Sequence, residues 1–206
     1  MIITSIEKSK KNKERIAVYV DNQYCFSISE ADYISLNLYE EKELTKEDIE
    51  NVKYNVNFKA AKSSAVKYIS LRVRTGKDVR FKLNNEGFES ETVEKVIEEL
   101  QSIGYVNDKI YAQKYVFDRS KLKPMAKKML RYELLSKGVE DTIINEVLDG
   151  WEVDEYDVAE TLFKRKFGKY DLSDEKVRRK AISFLLHRGY SFELIDSIIS
   201  GKSNNN

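Results

Sequence analysis

The sequence predicts a mainly α-helical protein in which three tandem three-helix repeats form an elongated curved body behind a small N-terminal β-rich extension. A glycine followed by an apolar residue recurs at Gly87-Phe88, Gly138-Val139 and Gly189-Tyr190, with 51 residues between successive copies. Such a fixed spacing is typical of stacked helical units. Charged residues make up 34% of the chain and Pro124 is its one proline, a composition that favours helices. A helical bundle without repeats is the alternative interpretation.

Residues 1–57 are predicted to form the β-rich extension. Apolar side chains occupy alternate positions over residues 15–20 and again over residues 24–28, and the polar residues 21–23 lie between the two runs. This pattern predicts a β-hairpin. The β-branched residues 2–6 predict a further strand, so that three strands share one apolar face.

The connections of this extension are predicted from their polar residues. A lysine-rich link that contains Lys8, Lys10, Lys11 and Lys13 is interpreted as a solvated loop. Residues 30–58 are typical of short helices and turns, with Thr45 and Asp48 spaced as an N-terminal capping pair.

Nine helices are predicted beyond residue 58, in three sets. The first set, residues 58–105, has helices over Ala60–Val73, from Thr75 to Gly87, and from a capping Ser90 to Gly104. In the second set, residues 106–152, one helix starts at Asn107 or Asp108. The next helix has Pro124 in its first turn and ends at Gly138, and a short helix follows around residues 143–148. The third set, residues 153–200, has helices over Asp154–Phe167, Asp174–Arg188 and from a capping Ser191 to residue 199. Residues 201–206 are predicted to be a disordered tail.

The residue types that carry out catalysis are sparse. His187 is the only histidine and lies where a helix is predicted to end, which favours a role at the last carbonyl groups over that of a general base. Cys25 is the only cysteine, so an intramolecular disulfide or a multi-cysteine metal site is excluded, and its place on a strand favours a packing role. The few glycines stand singly and form no phosphate-binding loop. We therefore expect a protein that is not an enzyme and has no cofactor or metal.

The absence of a long apolar run predicts a cytoplasmic chain with no membrane partner. The net charge is +1, but residues 1–58 carry 8 Lys and Arg against 11 Asp and Glu, whereas the remainder carries 28 against 24. Both imbalances are small, so any basic surface must be local.

The strongest functional signal is a cluster of cations on the second helix of each set. Residues 121–137 hold six Lys and Arg side chains and one acid, Glu133. At 100° per residue, Lys127, Lys128 and Arg131 fall on one flank, away from the apolar positions. The second helices of the other sets are also basic, with Lys77, Arg80 and Lys82 after Arg72 and Arg74 in the first, and Lys176, Arg178, Arg179 and Lys180 in the third. A solvated face explains any one of these helices, but three in register favour a shared binding strip.

Two kinds of partner suit such a strip. One is nucleic acid, because a three-helix unit with a basic helix resembles helix-turn-helix geometry. The other is an acidic groove on a protein. The lack of aromatic residues among the basic ones in sequence argues against tight reading of bases.

Several segments resemble the RecX regulators of the RecA recombinase. These segments are Tyr68–Thr75 (YISLRVRT), Asp78–Leu83 (DVRFKL), Gly87-Phe88, Ile97–Asp108 (IEELQSIGYVND), Tyr111–Val116 (YAQKYV), Arg119, Leu134–Val139 (LLSKGV) and, in weaker form, Phe184–Tyr190 (FLLHRGY). The resemblance covers about residues 58–200, and the N-terminal extension is similar to that of the low-GC Gram-positive branch. The chain has Asn107-Asp108 where the family often has two aspartates, and Lys123-Pro124-Met125 where it commonly has Lys-Gly.

The resemblance implies three tandem three-helix repeats and a monomer that lies in the helical groove of a RecA filament on DNA. It implies a regulator of DNA recombination, DNA repair and the SOS response that mostly inhibits ATP hydrolysis and strand exchange, with no enzymatic activity and no cofactor. Direct contacts with DNA are expected to be weak. The partner-binding residues expected for the filament and its DNA are Arg72, Arg74, Arg80, Arg119, Lys127, Lys128, Arg131, Arg178 and Arg179. The alternative is a stand-alone DNA-binding helical-repeat module, or a scaffold without a link to nucleic acid.

Overall fold

A computed structural model describes residues 1–10 and 12–201. Lys11 of the predicted lysine-rich loop and residues 202–206 of the predicted tail lie outside the described residues. The chain divides into two compact units, Met1–Asn107 and the segment that begins at Asp108. Within this range, no helix is long and apolar enough to cross a membrane.

The first unit begins with a three-stranded antiparallel sheet. Its strands are β1 (Ile3–Lys8), β2 (Arg15–Val20) and β3 (Gln23–Ser29), in the order β1-β2-β3. The predicted hairpin is confirmed, and its two-residue turn has φ of 49° at Asp21 and 65° at Asn22. Two successive positive φ angles are those of the turn whose twist matches the flanking strands.

The helices of the first unit follow the sheet. They are α1 (Glu30–Ser35), α2 (Lys46–Asn51), α3 (Phe58–Ser70), α4 (Gly76–Asn85) and α5 (Ser90–Ser102), with a π-helical segment, Val52–Asn57, between α2 and α3. Helical backbone runs unbroken from Lys46 to Ser70. The short helix predicted after Thr45 is therefore confirmed, but no turn separates it from α3. Both buried residues of the π-helical segment have a partner, because Val52 packs in the core beside the sheet and Asn57 accepts a hydrogen bond from Arg15.

The second unit consists of six helices in its described residues. They are α6 (Asp108–Leu122), α7 (Lys127–Ser136), α8 (Asp141–Asp149), α9 (Glu155–Phe167), α10 (Glu175–Leu186) and α11 (Phe192–Ile199). With α3–α5, they form the three predicted three-helix bundles, each with its own buried apolar cluster. The predicted domain boundaries after residues 57, 105 and 152 stay predictions, since a cluster marks the centre of a bundle and not its edge.

Three of the predicted capping side chains are confirmed and one, Ser90, is wrong. Thr45 forms a capping box with Asp48, and the Thr75 and Ser191 side chains accept backbone hydrogen bonds at the starts of α4 and α11. Ser90 is the first residue of α5 and not its cap. The N-cap position belongs to Glu89, whose carboxylate accepts a hydrogen bond from the Tyr24 hydroxyl instead of capping the helix.

Pro124 lies before α7 and not in its first turn. The helix begins at Lys127, after Ala126 in an extended conformation. The Ala126 N–H donates to the Arg188 carbonyl over 2.9 Å, so this backbone group is already committed to the third bundle. This hydrogen bond joins the second and third bundles at the residue that precedes α7.

The second helix of every bundle ends in the same way. Gly87, Gly138 and Gly189 have φ of 82°, 81° and 85°. The residue after each glycine donates its N–H to a buried leucine carbonyl five positions earlier: Phe88 to Leu83, Val139 to Leu134 and Tyr190 to Leu185. This is the hydrogen-bond pattern of a Schellman motif, and it confirms the repeat that the glycine spacing predicts.

The sheet is attached to the first of these corners by Arg15, which is only 6% exposed. Its Nη2 donates to the Ser27 carbonyl over 2.5 Å and to the Asn57 Oδ1 over 2.7 Å. Its guanidinium lies 4.3 Å from the centre of the Phe88 ring. Burial without a carboxylate contact lowers the pKa of Arg15 from its ordinary value.

We expect Arg15→Ala to lower the free energy of unfolding by about 2–4 kcal/mol, because buried acceptors on Ser27 and Asn57 would lose their donor. Arg15→Lys should also destabilise the chain, because an ammonium group cannot reproduce the guanidinium fork. Urea denaturation followed by circular dichroism measures both changes. The exposed Arg72→Ala is the control, with an expected change within about 0.5 kcal/mol, and an Arg15→Ala protein as stable as this control would contradict the assignment.

Gly189 supports a second prediction, because a β-carbon added there would lie 2.9 Å from the Met129 Cβ. Gly104 is the matched control, since its φ of 77° is similar but nothing lies within 4 Å of its added β-carbon. Both alanine variants bear a left-handed backbone cost of about 1–2 kcal/mol, but only Gly189→Ala must also displace α7. We expect Gly189→Ala to lower the thermal midpoint further than Gly104→Ala, and equal midpoints would show that the contact with Met129 is not close-packed.

Candidate functional site

The second helix of each bundle, α4, α7 or α10, carries the cations that the sequence predicts. Lys77, Lys128 and Arg179 stand 51 residues apart and all three are exposed. Lys77 and Lys128 are the second residues of α4 and α7. A cation at a helix N-terminus meets the positive end of the helix dipole, which is unfavourable by about 0.3–1 kcal/mol. Lys128 forms no ion pair within residues 1–10 and 12–201, so the stability of α7 does not explain its position.

Three of the predicted binding residues are exposed and free for a partner. Arg72 precedes α4, Lys128 lies in the first turn of α7 and Arg178 lies on α10. Over residues 1–10 and 12–201, no ion pair involves any of the three. Lys127 is half-buried, and its backbone N–H donates to the Glu155 carboxylate over 2.6 Å.

Two other predicted residues form ion pairs at the surface. Arg80 donates to both carboxylate oxygens of Glu94, over 2.6 and 2.7 Å, and thereby connects α4 to α5. This hydrogen bonding lowers the pKa of the Glu94 carboxyl from its ordinary value. Arg179 pairs with Glu175 one turn earlier, over 2.7 Å. Such exposed pairs contribute about 0–1 kcal/mol, so either arginine can exchange its partner at little cost.

Arg131 connects helices inside the second bundle. It lies on α7, and its guanidinium donates to Asp141 and Asn145, both on α8. It therefore closes the α7–α8 contact, a structural role that the sequence analysis did not predict.

Arg119 also has a structural role in the second bundle. It lies on α6 and donates over 2.8 Å to the Tyr115 hydroxyl, which in turn donates to Glu133 on α7 over 2.6 Å. The hydrogen bond to Tyr115 raises the pKa of Arg119, and burial raises that of Tyr115. The chain of hydrogen bonds connects α6 to α7.

Aromatic rings lie beside the cations in the folded chain, which corrects the prediction that the two are separated. The Arg74 guanidinium lies 4.0 Å from the centre of the Tyr68 ring, and the Arg119 guanidinium lies 5.0 Å from that of Tyr115. Tyr68 lies on α3, ahead of Arg74, whereas Tyr115 lies on α6 one turn before Arg119 on the same helix. Neither ring belongs to a basic second helix, so the pattern of those helices alone does not reveal the contacts.

The third bundle holds further cations that are not among the predicted partner-binding residues. Lys166 and Arg188 both approach the Phe184 ring, and Lys180 lines the same groove. These residues come from α9, from α10 and from the turn after α10. Lys180, Phe184 and Arg188 follow one another at intervals of four residues, which places them on one face of α10 and its end. Lys166 lies on α9 and reaches the same ring only because the two helices pack together.

His187 and Cys25 occupy the positions that their sequence context predicts. His187 is the C-cap of α10, and its Nδ1 lies 2.7 Å from the Ser183 carbonyl oxygen. Cys25 is half-buried on β3 beside the core of the sheet, and burial raises the pKa of its thiol. Within the described ranges, no cluster of three or more His, Cys, Asp or Glu residues is arranged to hold a metal ion.

Four family models match successive parts of the chain. Residues 1–45 match the N-terminal domain of the regulatory protein RecX. The three-helix domains of RecX match in order, the first over residues 61–100, the second over 107–148 and the third over 152–199.

Proteins named Regulatory protein RecX are similar over nearly the whole chain. The protein from Clostridium acetobutylicum is 33% identical over 204 residues, which cover 96% of this chain and 94% of that protein. The protein from Clostridium botulinum strain Alaska E43 is 35% identical, with 98% and 96% covered. The Bacillus velezensis protein is 31% identical, with 96% of this chain and 76% of that protein covered.

Two crystal structures share the fold. One, of a regulatory protein RecX, matches with a TM-score of 0.63 at 24% identity and covers 97% of this chain and 98% of that chain. The other, of RecX from Lactobacillus salivarius, has a TM-score of 0.60 at 24% identity and covers 71% of this chain and 96% of that chain. At this identity the likeness bears on the fold alone.

The different surroundings of Arg131 and Lys128 predict different effects on stability. Arg131→Ala should lower the free energy of unfolding by about 1 kcal/mol or more, because Asp141 and Asn145 would lose their hydrogen bonds to a charged group. Lys128→Ala, one helical turn away, should change it by less than about 0.5 kcal/mol. Chemical denaturation of both variants tests this difference, and an equal loss would show that Arg131 does not hold α8.

Proposed function

The chain belongs to the RecX family of regulatory proteins, and from that premise we propose that it binds a RecA recombinase filament on DNA. It lies in the helical groove of the filament and restrains ATP hydrolysis and DNA strand exchange. It acts as a monomer in the cytoplasm, where the filament forms, and it performs no chemistry and needs no cofactor.

The recurrence of an exposed cation at one position of all three bundles supports this proposal. Lys77, Lys128 and Arg179 share that position, at a spacing of 51 residues. Lys128 at the start of α7 is unfavourable for its own helix, so an acidic partner gives a reason for its position. A filament repeats the same surface at regular intervals, and a chain with a repeated cation can meet several copies of it.

Several weak contacts must act together in such a complex. One exposed charge pair contributes only about 0–1 kcal/mol, which is too little for a stable complex. Once one bundle is bound, the next bundle is held near the filament at a high effective concentration, so the affinities multiply. The predicted residues Arg72, Arg74, Arg80, Arg119, Lys127, Lys128, Arg131, Arg178 and Arg179 belong to this surface in our proposal.

Bridging between protomers accounts for the restraint of ATP hydrolysis. A protein that contacts two neighbouring protomers favours the arrangement in which both contacts are made. Movements that accompany nucleotide turnover would break one of these contacts, so the bound regulator slows turnover without touching the nucleotide.

The first test is recombinase-dependent ATP hydrolysis on single-stranded DNA, with this chain added in substoichiometric amounts. We expect inhibition well below one copy per protomer, because each copy acts on neighbours or at filament ends. Unchanged hydrolysis together with binding to bare DNA would instead support the stand-alone DNA-binding module. Unchanged hydrolysis without any binding would support a scaffold.

The recurring cations are tested by the triple variant Lys77→Ala, Lys128→Ala and Arg179→Ala. Arg131 is left out because its loss would disturb the α7–α8 contact. The control is Lys46→Ala, Lys59→Ala and Lys114→Ala, which removes three exposed cations from helices other than α4, α7 and α10. We expect weaker inhibition of ATP hydrolysis, with a smaller salt dependence, for the variant of the recurring cations only. An equal effect of the control variant would contradict the proposal that the recurring cations bind the partner.

A further inference from the structure

A groove on the third bundle combines cations with aromatic rings. It has a volume of about 580 Å³ and is bordered by the end of α9, the segment after it and α10. Its aromatic rings are those of Phe167, Tyr170 and Phe184, and its basic side chains include Lys166, Lys180 and Arg188. This volume lies within the usual range for pockets that hold small ligands.

The positive charge of the groove is not balanced by acidic side chains in its lining. None of the described residues that line it is acidic. The Arg188 guanidinium lies 3.7 Å and the Lys166 Nζ lies 4.1 Å from the centre of the same Phe184 ring. Two cations held at one ring repel each other, so an anion in the groove would relieve the repulsion.

Arg188 also retains hydrogen-bonding capacity. Its Nη1 donates to the Phe184 carbonyl over 3.1 Å, but its Nε is buried and has no hydrogen-bond partner in the described part of the chain. Burial lowers the pKa of Arg188, and the neighbouring charge of Arg165 acts in the same direction. Because the Nε is closed off from solvent, a ligand oxygen would meet the other N–H groups of the Arg188 guanidinium, and Arg188 lines the groove.

The rings provide a buried floor and an exposed platform. Phe167 is buried, with its ring centre 5.6 Å from that of Phe184 in an edge-on contact. Tyr170 is 62% exposed, and its ring centre lies 6.3 Å from that of Phe167. The Phe184 ring is flanked by cations, so the Tyr170 ring is the one available for stacking.

We infer that this groove binds one unpaired nucleotide of single-stranded DNA, with the base stacked on Tyr170 and the phosphate held by Lys166, Lys180 and Arg188. An unpaired strand offers both a flat ring and an adjacent negative charge, and proteins that bind such strands combine aromatic platforms with cationic grooves. Paired bases in a duplex do not expose their faces, so the groove discriminates against double-stranded DNA. An acidic peptide would use the same cations but has no need of the Tyr170 ring.

This inference goes beyond the proposed action on the filament, because the contact with DNA requires no recombinase. The probe is a fluorescently labelled oligo-dT, and the measurement is the anisotropy on titration with the full-length chain at low salt. We expect binding that Tyr170→Ala weakens about tenfold, because the base loses the ring on which it stacks. Tyr170→Phe keeps the ring and should bind like the unchanged protein.

Tyr105→Ala is the matched control, because Tyr105 is 61% exposed and lies in the other compact unit. An abasic oligomer of the same length separates stacking from charge, since it retains the phosphates without the bases. Tyr170→Ala should bind this oligomer as well as the unchanged protein does. Lys180→Ala should bind both oligomers more weakly, with a salt slope that is smaller by about 0.7, whereas Lys46→Ala should not change the slope.

Several results would overturn the inference. The unchanged protein could fail to bind oligo-dT, or Tyr170→Ala could weaken binding to both oligomers equally or to neither. If Tyr170→Ala lost binding to DNA-free recombinase and still bound oligo-dT, the groove would be a protein-docking site. Ultraviolet crosslinking of the unchanged protein to oligo-dT, followed by peptide mapping, tests the site without any variant, and crosslinks only outside residues 166–188 would also exclude it.

The ATP hydrolysis assay separates this inference from the proposed function. A chain that inhibits hydrolysis but does not bind oligo-dT would retain the proposed function and lose the groove. A chain that binds oligo-dT through Tyr170 without affecting hydrolysis would do the reverse.

Discussion

The left-handed glycine at the end of the second helix of each bundle is the constraint on which the rest of the helical fold depends. Gly87, Gly138 and Gly189 occupy a backbone region that costs a side-chain-bearing residue about 1–2 kcal/mol. Because glycine adopts this left-handed conformation without that cost, the chain reverses there and the next residue donates its N–H to a carbonyl of the same helix. The apolar side chain after the glycine then enters the core, and the third helix is directed across the first two.

The first and third of these corners also hold the segment that precedes their bundle. The Glu86 carbonyl accepts a hydrogen bond from the Asn12 side chain, and the Arg188 carbonyl accepts one from the Ala126 N–H. Glu86 and Arg188 are the residues immediately before Gly87 and Gly189. Any side chain on either glycine would meet the docked segment, at 3.0 Å beside Arg15 and at 2.9 Å beside Met129. The same backbone device therefore ends a helix and attaches its neighbour in the sequence.

Hydrogen bonding inside the bundles divides the cations into two groups. Arg15, Arg119 and Arg131 hold elements together through donors that a lysine could not arrange in the same way. Lys128 and Arg178 form no ion pair within residues 1–10 and 12–201, and both side chains are exposed to solvent. Their exposed charges are therefore available to a partner, which connects the fold to the proposed regulation.

The sequence by itself determined the repeat, the hairpin and most of the helix caps. These features depend on local rules: the spacing of glycines, the alternation of apolar residues and the capping side chains all act within a few positions. The exposure of Lys128 and Arg178 also followed from helical periodicity alone.

Only the tertiary structure decided which arginines are structural and where cations meet rings. Arg131 finds Asp141 and Asn145 on another helix, and the cations of the third bundle converge on Phe184 from separate elements. The backbone hydrogen bond at the residue before α7 and the burial of Arg15 have the same origin, since each depends on a backbone or side-chain partner that is distant along the chain. Local patterns specify which elements form, whereas partners distant in sequence are specified by packing.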